Sequence, residues 1–154
     1  MTQDIDLVIP WVDGNDVEWK KEKDKCLEAG DRRVNRYRDW DNLQYIFRGI
    51  EKYMPWIRKI HFVTWGHLPE WLNVEHPKLN IVKHQDYIPE KYLPTFNSNA
   101  IEINLHRIEE LSEKFVYFND DMFLIDKVKP QDFFFKGKPC DAAILNANIS
   151  HRKN

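Results

Sequence analysis

Two adjacent carboxylates, Asp120 and Asp121, stand directly behind an apolar run in the stretch FVYFNDDMFLID, residues 115–126. Phe115, Val116, Tyr117 and Phe118 are β-branched or aromatic and predict a buried strand. Asn119, Asp120 and Asp121 then fall at its carboxyl end. In an open α/β sheet that end faces the ligand crevice. Paired carboxylates there suit a hard divalent cation, Mg2+ or Mn2+, that also grips a substrate phosphate. The plainer alternative is that Asn119 and Asp120 only cap a turn, as Asn and Asp often do.

Two other stretches carry candidate chemistry. In Trp11-Val12-Asp13-Gly14-Asn15-Asp16, turn residues follow the apolar run IDLVIP, so a strand is expected to run into a functional loop. Small Gly14 would let that loop approach a nucleotide closely, and Asp13 or Asp16 would meet a ribose or base. Arg32, Arg33, Arg36 and Arg38 crowd into RRVNRYRDWD, which has neither helical nor strand period. Their planar forks of donors match phosphate oxygens, although a charge run also serves simply as a solvated face. There is no GxGxxG and no P-loop lysine motif, so ordinary dinucleotide and ATP cradles are not supported. His106 is a lone histidine with no metal-ligand spacing.

The elements that must position these residues follow from periodicity. Residues 5–10 and 59–64 predict strands, and 80–82 with its flanks a shorter one. Asp16 is expected to cap a solvated helix over 17–29, closed by Gly30. Leu43, Ile46, Phe47, Ile50 and Met54 share one helical face, with Asp41 as cap and Pro55 as stop. PEWLN predicts a single helical turn, with Trp71 packed. Residues 85–96, rich in proline and aromatics without a period, read as a pocket wall or lid. Ser98 is expected to cap a helix with Ile101, Leu105, Ile108 and Leu111 on its apolar face. Residues 133–135 and 142–145 could add two further strands.

Strand, helices, strand, strand, helix, strand is the pattern of a parallel sheet with right-handed crossovers, a Rossmann-like α/β fold. If strands two and three wind one way from the first and the 115–118 strand lies on its other side, the topological switch falls between those two. WVDGND and NDD would then face each other across one crevice.

Bulk composition sets outer limits. The 154 residues suffice for one domain with a real core, and 14% aromatic and 42% apolar content argues against disorder. A net charge of −2 gives no global attraction to nucleic acid or an anionic membrane, so an anionic ligand needs a local site. No run approaches a membrane span and the start lacks signal-peptide character, so the chain reads as cytoplasmic. Cys26 and Cys140 are far apart in no CxxC pattern, which suggests two reduced thiols. The polar ending NISHRKN reads as a cut, leaving residues 1–154 as the amino-terminal portion of a single catalytic domain.

IDLVIPWVDGND, RYRDWDNLQYIFRGIEKYMPWIRKIHFVT and LPTFNSNAIEINLHRIEELSEKFVYFNDDMF resemble, in order, the first two signature regions of the Stealth family. These are bacterial capsular and exopolysaccharide phosphotransferases related to the animal N-acetylglucosamine-1-phosphate transferase. The resemblance implies transfer of a sugar 1-phosphate from a UDP-sugar, such as UDP-N-acetylglucosamine, to a hydroxyl of a glycan or polysaccharide acceptor. It further implies a divalent ion at Asp120 and Asp121, and a donor pocket lined by Trp11, Val12, Asp13, Gly14 and Asp16. Arg38 and Asp39 would help hold the diphosphate or sugar, with Arg38 counted among the catalytic groups. Asn97, Ser98, Glu102, His106 and Arg107 would be sugar or acceptor contacts. Association with the inner face of the membrane is compatible with such a role.

The chain departs from the family pattern in TWGHLP, where members usually show a polar residue and Gln in place of Trp65 and His67. The third and fourth signature regions, with their histidine and basic residues, are not in this sequence, and His151 in the terminal tail is not assigned that role. Two alternatives share the crevice: a metal-dependent glycosyltransferase that releases UDP, and a non-catalytic carbohydrate-binding module.

Overall fold

The computed structural model describes residues 4–26 and 41–141. Its centre is a sheet of four parallel strands in the order β3-β2-β1-β4. These are β1 (Ile5–Pro10), β2 (Ile60–Thr64), β3 (Leu79–Lys83) and β4 (Lys114–Tyr117). β1 pairs on one side with β2, Leu7 opposite Ile60, and on the other with β4, Leu7 opposite Val116. The chain thus winds one way through β2 and β3 and returns on the far side of β1, which puts the switch point between β1 and β4 as the order of elements predicted.

Strand alternation sends successive side chains to opposite faces, and the sheet has an apolar layer on each. Leu7, Ile9 and Phe62 pack against helix α2 (Leu43–Tyr53) through Leu43, Ile46 and Ile50. Val8, Val63 and Val82 face the opposite layer of Tyr87, Ile88, Leu105 and Ile108. With both faces covered, β1 and β2 read as nearly unbroken apolar runs, as central parallel strands do.

Several local expectations need correction. Helix α1 (Val17–Cys26) begins at the Asp16 cap as expected, with the Trp19 N–H donating to Asp16 Oδ1 at 2.7 Å. For α2, Asp41 instead adopts a left-handed backbone (φ 53°), and Asn42 takes the cap position without a side-chain hydrogen bond. Asn97 rather than Ser98 caps α4 (Ser98–Ile103), accepting from the Asn99 N–H at 3.0 Å. The helix expected to reach Leu111 stops at Ile103 and continues as a 3-10 turn at Leu105–Arg107. The Asn104 side chain accounts for this: its amide donates to the Ala100 carbonyl at 2.8 Å, a local side-chain bond that competes with the helical ladder.

PEWLN forms a turn closed by the Leu72 N–H on the Pro69 carbonyl, not a helix. The 85–96 stretch gains a short helix α3 (His84–Tyr87) and a 3-10 turn at Glu90–Tyr92. Phe133 ends α5 (Pro130–Phe133), and the expected strand there is β5 (Phe134–Phe135), paired antiparallel with β6 (Lys138–Pro139). Gly30 and the strand expected at 142–145 lie outside the described residues. Cys26 and Cys140 are free and exposed. Among the described residues no helix is long and apolar enough to cross a membrane.

Candidate functional site

At the carboxyl ends of the strands a cleft of about 370 Å3 opens, within the usual range for small-molecule sites. Its walls come from five parts of the chain. The end of β1 supplies Pro10, Trp11 and Val12, and the segment behind β4 supplies Asn119 and Asp120. Thr95, Phe96, Ser98, Ile101 and Glu102 form a third wall, and His84 stands at the end of β3. Trp19 of α1 closes the side, its ring edge-on to Phe96 at 5.8 Å.

The first loop is held from below. Its backbone extends the ladder one step beyond β1, the Trp11 N–H donating to the Val63 carbonyl at 2.9 Å. Trp11 stacks on Phe62 at 5.7 Å and meets the edge of His67 at 5.2 Å. His67 Nε2 accepts the Asp13 N–H at 2.7 Å. That acceptor role leaves the ring proton on Nδ1, which is enclosed without a hydrogen-bond partner, 3.7 Å from Asp16 Oδ2. Burial pushes the His67 pKa down, against the opposing pull of Asp16 and Asp13.

Both acidic residues of this loop also bond within it. Asp13 Oδ1 accepts the Asn15 N–H at 2.8 Å, and Asp16 caps α1. Gly14 is buried, and none of Asp13, Gly14 and Asp16 lines the cleft. Trp11 and Val12 do.

On the opposite side, β4 ends in a tight turn in which the Met122 N–H donates to the Asn119 carbonyl at 3.2 Å. Asp120 faces the cleft, while its neighbour Asp121 is exposed outside the lining. Among the described residues no group of three or more His, Cys, Asp or Glu side chains converges as a metal cage. Two adjacent exposed carboxylates fit Mg2+ as it is often held beside phosphates, with one or two protein carboxylates and the rest of the shell from substrate and water.

Tyr117 of β4, which also lines the cleft, donates its hydroxyl to Glu102 Oε1 of the third wall at 3.1 Å. Burial, reinforced by the Glu102 charge, raises the Tyr117 pKa, so the phenol stays protonated and fixes the carboxylate. Ser98 and Glu102 reach the cleft, whereas Asn97 is spent as the cap of α4. His106 and Arg107 are exposed and do not line it, His106 Nδ1 lying 2.9 Å from the Ile103 carbonyl. Arg32, Arg33, Arg36, Arg38 and Asp39 lie outside the described residues.

Sequence reading did not single out His84, Tyr117 or Trp19 for the site, and named His67 only as a departure from the family pattern. His84 and His67 each follow a strand at its carboxyl edge, and that position was the available signal. The 85–96 stretch was read as a wall, and through Thr95 and Phe96 it is one.

Comparison with known proteins sharpens the assignment. The family description "Stealth protein CR2, conserved region 2" matches residues 36–141, and "Stealth protein CR1, conserved region 1" matches residues 3–31. The chain belongs to the Stealth family. It is 54% identical over 144 residues to the capsular polysaccharide phosphotransferase WcwK of Streptococcus pneumoniae, covering 90% of this chain and 44% of that protein. It is 49% identical over 151 residues to the capsular polysaccharide phosphotransferase eps5J of Streptococcus thermophilus, covering 94% and 63%. The exopolysaccharide phosphotransferase cps2G of Lactiplantibacillus plantarum is 44% identical over 148 residues, covering 94% and 43%. The chain thus spans about half the length of the curated relatives it matches. In this Stealth chain the two matched regions supply the two sides of one cleft, region 1 the Trp11 loop and region 2 the His84, Glu102 and Asp120 walls.

Proposed function

We propose that this chain forms the donor-binding part of a sugar 1-phosphate transferase acting in capsular or exopolysaccharide synthesis. The observation that carries the reading is the placement of Asp120 and Trp11 on either side of the switch-point cleft of a Stealth chain. The donor is a UDP-sugar, with UDP-N-acetylglucosamine the first to test, and the acceptor is a hydroxyl of a growing glycan. The acceptor oxygen attacks the phosphorus that carries the sugar. The bond from that phosphorus to the oxygen bridging the two phosphates breaks, UMP leaves with that oxygen, and the hydroxyl proton passes to a base.

Such a transfer depends on in-line placement and charge neutralisation rather than a covalent enzyme intermediate. Asp120 and Asp121 would hold a divalent ion, which when bound neutralises diphosphate charge. Trp11 and Val12 line the donor side of the cleft, and Tyr117 orients Glu102 toward the sugar or acceptor. Arg38 and Asp39 are proposed to add diphosphate or sugar contacts from the segment joining α1 to α2.

Calorimetric titration of the chain with UDP-N-acetylglucosamine, with and without Mg2+, tests the reading. Magnesium-dependent binding that disappears when Asp120→Ala and Asp121→Ala are combined is expected. Binding indifferent both to the metal and to that double change would sink the metal assignment. In a chain that also carries the remaining Stealth regions, UMP as product supports phosphotransfer, and UDP would point to glycosyl transfer instead.

A further inference from the structure

His84 is the first residue after β3, on the wall of the cleft farthest from β4 in strand order. It is 8% exposed, and its Nδ1 is enclosed without a hydrogen-bond partner. No described protein group bonds Nε2 either, and Nε2 is absent from the enclosed atoms, so the open edge of the ring belongs to the cleft it lines. A proton on Nδ1 would have no acceptor, whereas one on Nε2 can donate into the cleft; unlike His67, whose Nε2 is already taken as an acceptor by the Asp13 N–H, His84 is free to adopt that form. The ring proton is therefore assigned to Nε2, leaving Nδ1 bare.

Burial, with a smaller contribution from the nearby His67, lowers the His84 pKa to about 4. At neutral pH the ring carries no charge. A neutral donor suits an uncharged oxygen, whereas a phosphate would favour the imidazolium. Position agrees. β3 and β4 are three strand spacings apart, about 14 Å at the usual interstrand distance, a separation that a nucleotide-sugar can span and a lone phosphate cannot. Trp11, at the end of β1 between them, and Phe96 of the third wall offer surfaces suited to the flat or apolar face of a base or sugar.

We propose that His84 reads the uncharged end of the cleft's ligand, its Nε2–H donating to a uracil carbonyl or a sugar hydroxyl while the phosphates lie at the Asp120 end. The ligand's identity rests on the donor reading above; the donor edge of His84 does not. The test accordingly has two parts. The first needs no ligand: nitrogen-detected NMR of the imidazoles at pH 7 is expected to show His84 as the Nε2–H tautomer, and an Nδ1–H tautomer or an imidazolium overturns the proposal.

The second part titrates the wild-type chain, His84→Gln and His84→Phe with UDP and with UDP-N-acetylglucosamine in Mg2+. His84→Phe is expected to bind at least tenfold more weakly, and His84→Gln, which keeps a neutral donor, within a fewfold of wild type. A deficit present already with UDP assigns the contact to the base, and one seen only with the nucleotide-sugar assigns it to the sugar. Equal affinity of His84→Phe and wild type for both ligands overturns the proposal. A wild-type chain with the Nε2–H tautomer that binds neither ligand would count against the UDP-sugar reading and leave the donor edge of His84 established.

Discussion

Beneath the first loop, His67 Nε2 accepts the Asp13 N–H at 2.7 Å, and the same ring supports Trp11 edge-on. Leaving a largely enclosed N–H without an acceptor costs about 1–3 kcal/mol. His67→Leu is therefore expected to lower stability by about that much in urea unfolding, and to weaken nucleotide-sugar binding because Trp11 loses its support. His67→Gln, which places an amide oxygen in the same region, should retain most of both. If His67→Leu and His67→Gln proved equally stable, the hydrogen bond would have no part in holding the loop.

At the scale of elements, the segment behind β4 is anchored across the α2 face. The Trp56 Nε1–H donates to the Val128 carbonyl at 2.8 Å, and Leu124 packs over Gly49. A Cβ on Gly49 would lie 3.6 Å from both the Leu124 Cβ and its carbonyl oxygen, ordinary van der Waals contact. Gly inside a helix costs up to about 1 kcal/mol relative to Ala, so Gly49→Ala is expected to raise the unfolding midpoint by a corresponding amount and leave ligand binding intact. Gly49→Leu has no such room and should displace the segment that begins with Asp120 and Asp121, weakening magnesium-dependent binding. These elements were largely legible in the sequence. IDLVIP and KIHFVT read as strands because their apolar runs are nearly unbroken, and the strand order met the condition under which the switch point falls between β1 and β4. What escaped were features decided by single side chains in three dimensions. Asn104 ends α4 through one hydrogen bond to Ala100, and Asn97 rather than Ser98 takes the cap. Asp13 and Asp16 each accept one backbone N–H within their loop and lie outside the cleft lining, which the order of elements does not reveal. His84 gave only the signal of its position behind a strand, since its role depends on which ring nitrogen the fold leaves open to the cleft.

For the whole molecule, the two ends of the sheet are electrostatically distinct. At the end opposite the cleft, fully buried Asp6 accepts from Arg58 Nε at 2.9 Å, the Ser112 N–H at 2.8 Å and His61 at 3.0 Å, while Asn80 holds the other nitrogen of His61 at 3.0 Å. Burial opposes the Asp6 charge, but the hydrogen bonds from Arg58, Ser112 and His61 together outweigh it and hold the pKa below its usual 3.8. Burial also lowers the pKa values of His61, His67 and His84, the last to about 4. A histidine whose folded pKa lies below its unfolded value near 6.5 binds fewer protons in the folded state between those two values. Its contribution is complete above about pH 6.5 and is lost as pH falls toward the folded pKa. For His84 alone the difference between 6.5 and about 4 corresponds to roughly 3 kcal/mol. Asp6 adds a further loss only below about pH 3.8, and Tyr87 and Tyr117, raised by burial, withdraw their contribution only above about pH 10. Stability measured by urea unfolding should therefore be level from about pH 7 to 9 and fall steeply between 6.5 and 4. His84→Gln should lose the His84 share of that fall, while His61 and His67 continue to govern the remainder. A midpoint that stayed constant down to pH 4.5 would mean that these imidazoles are not buried as described.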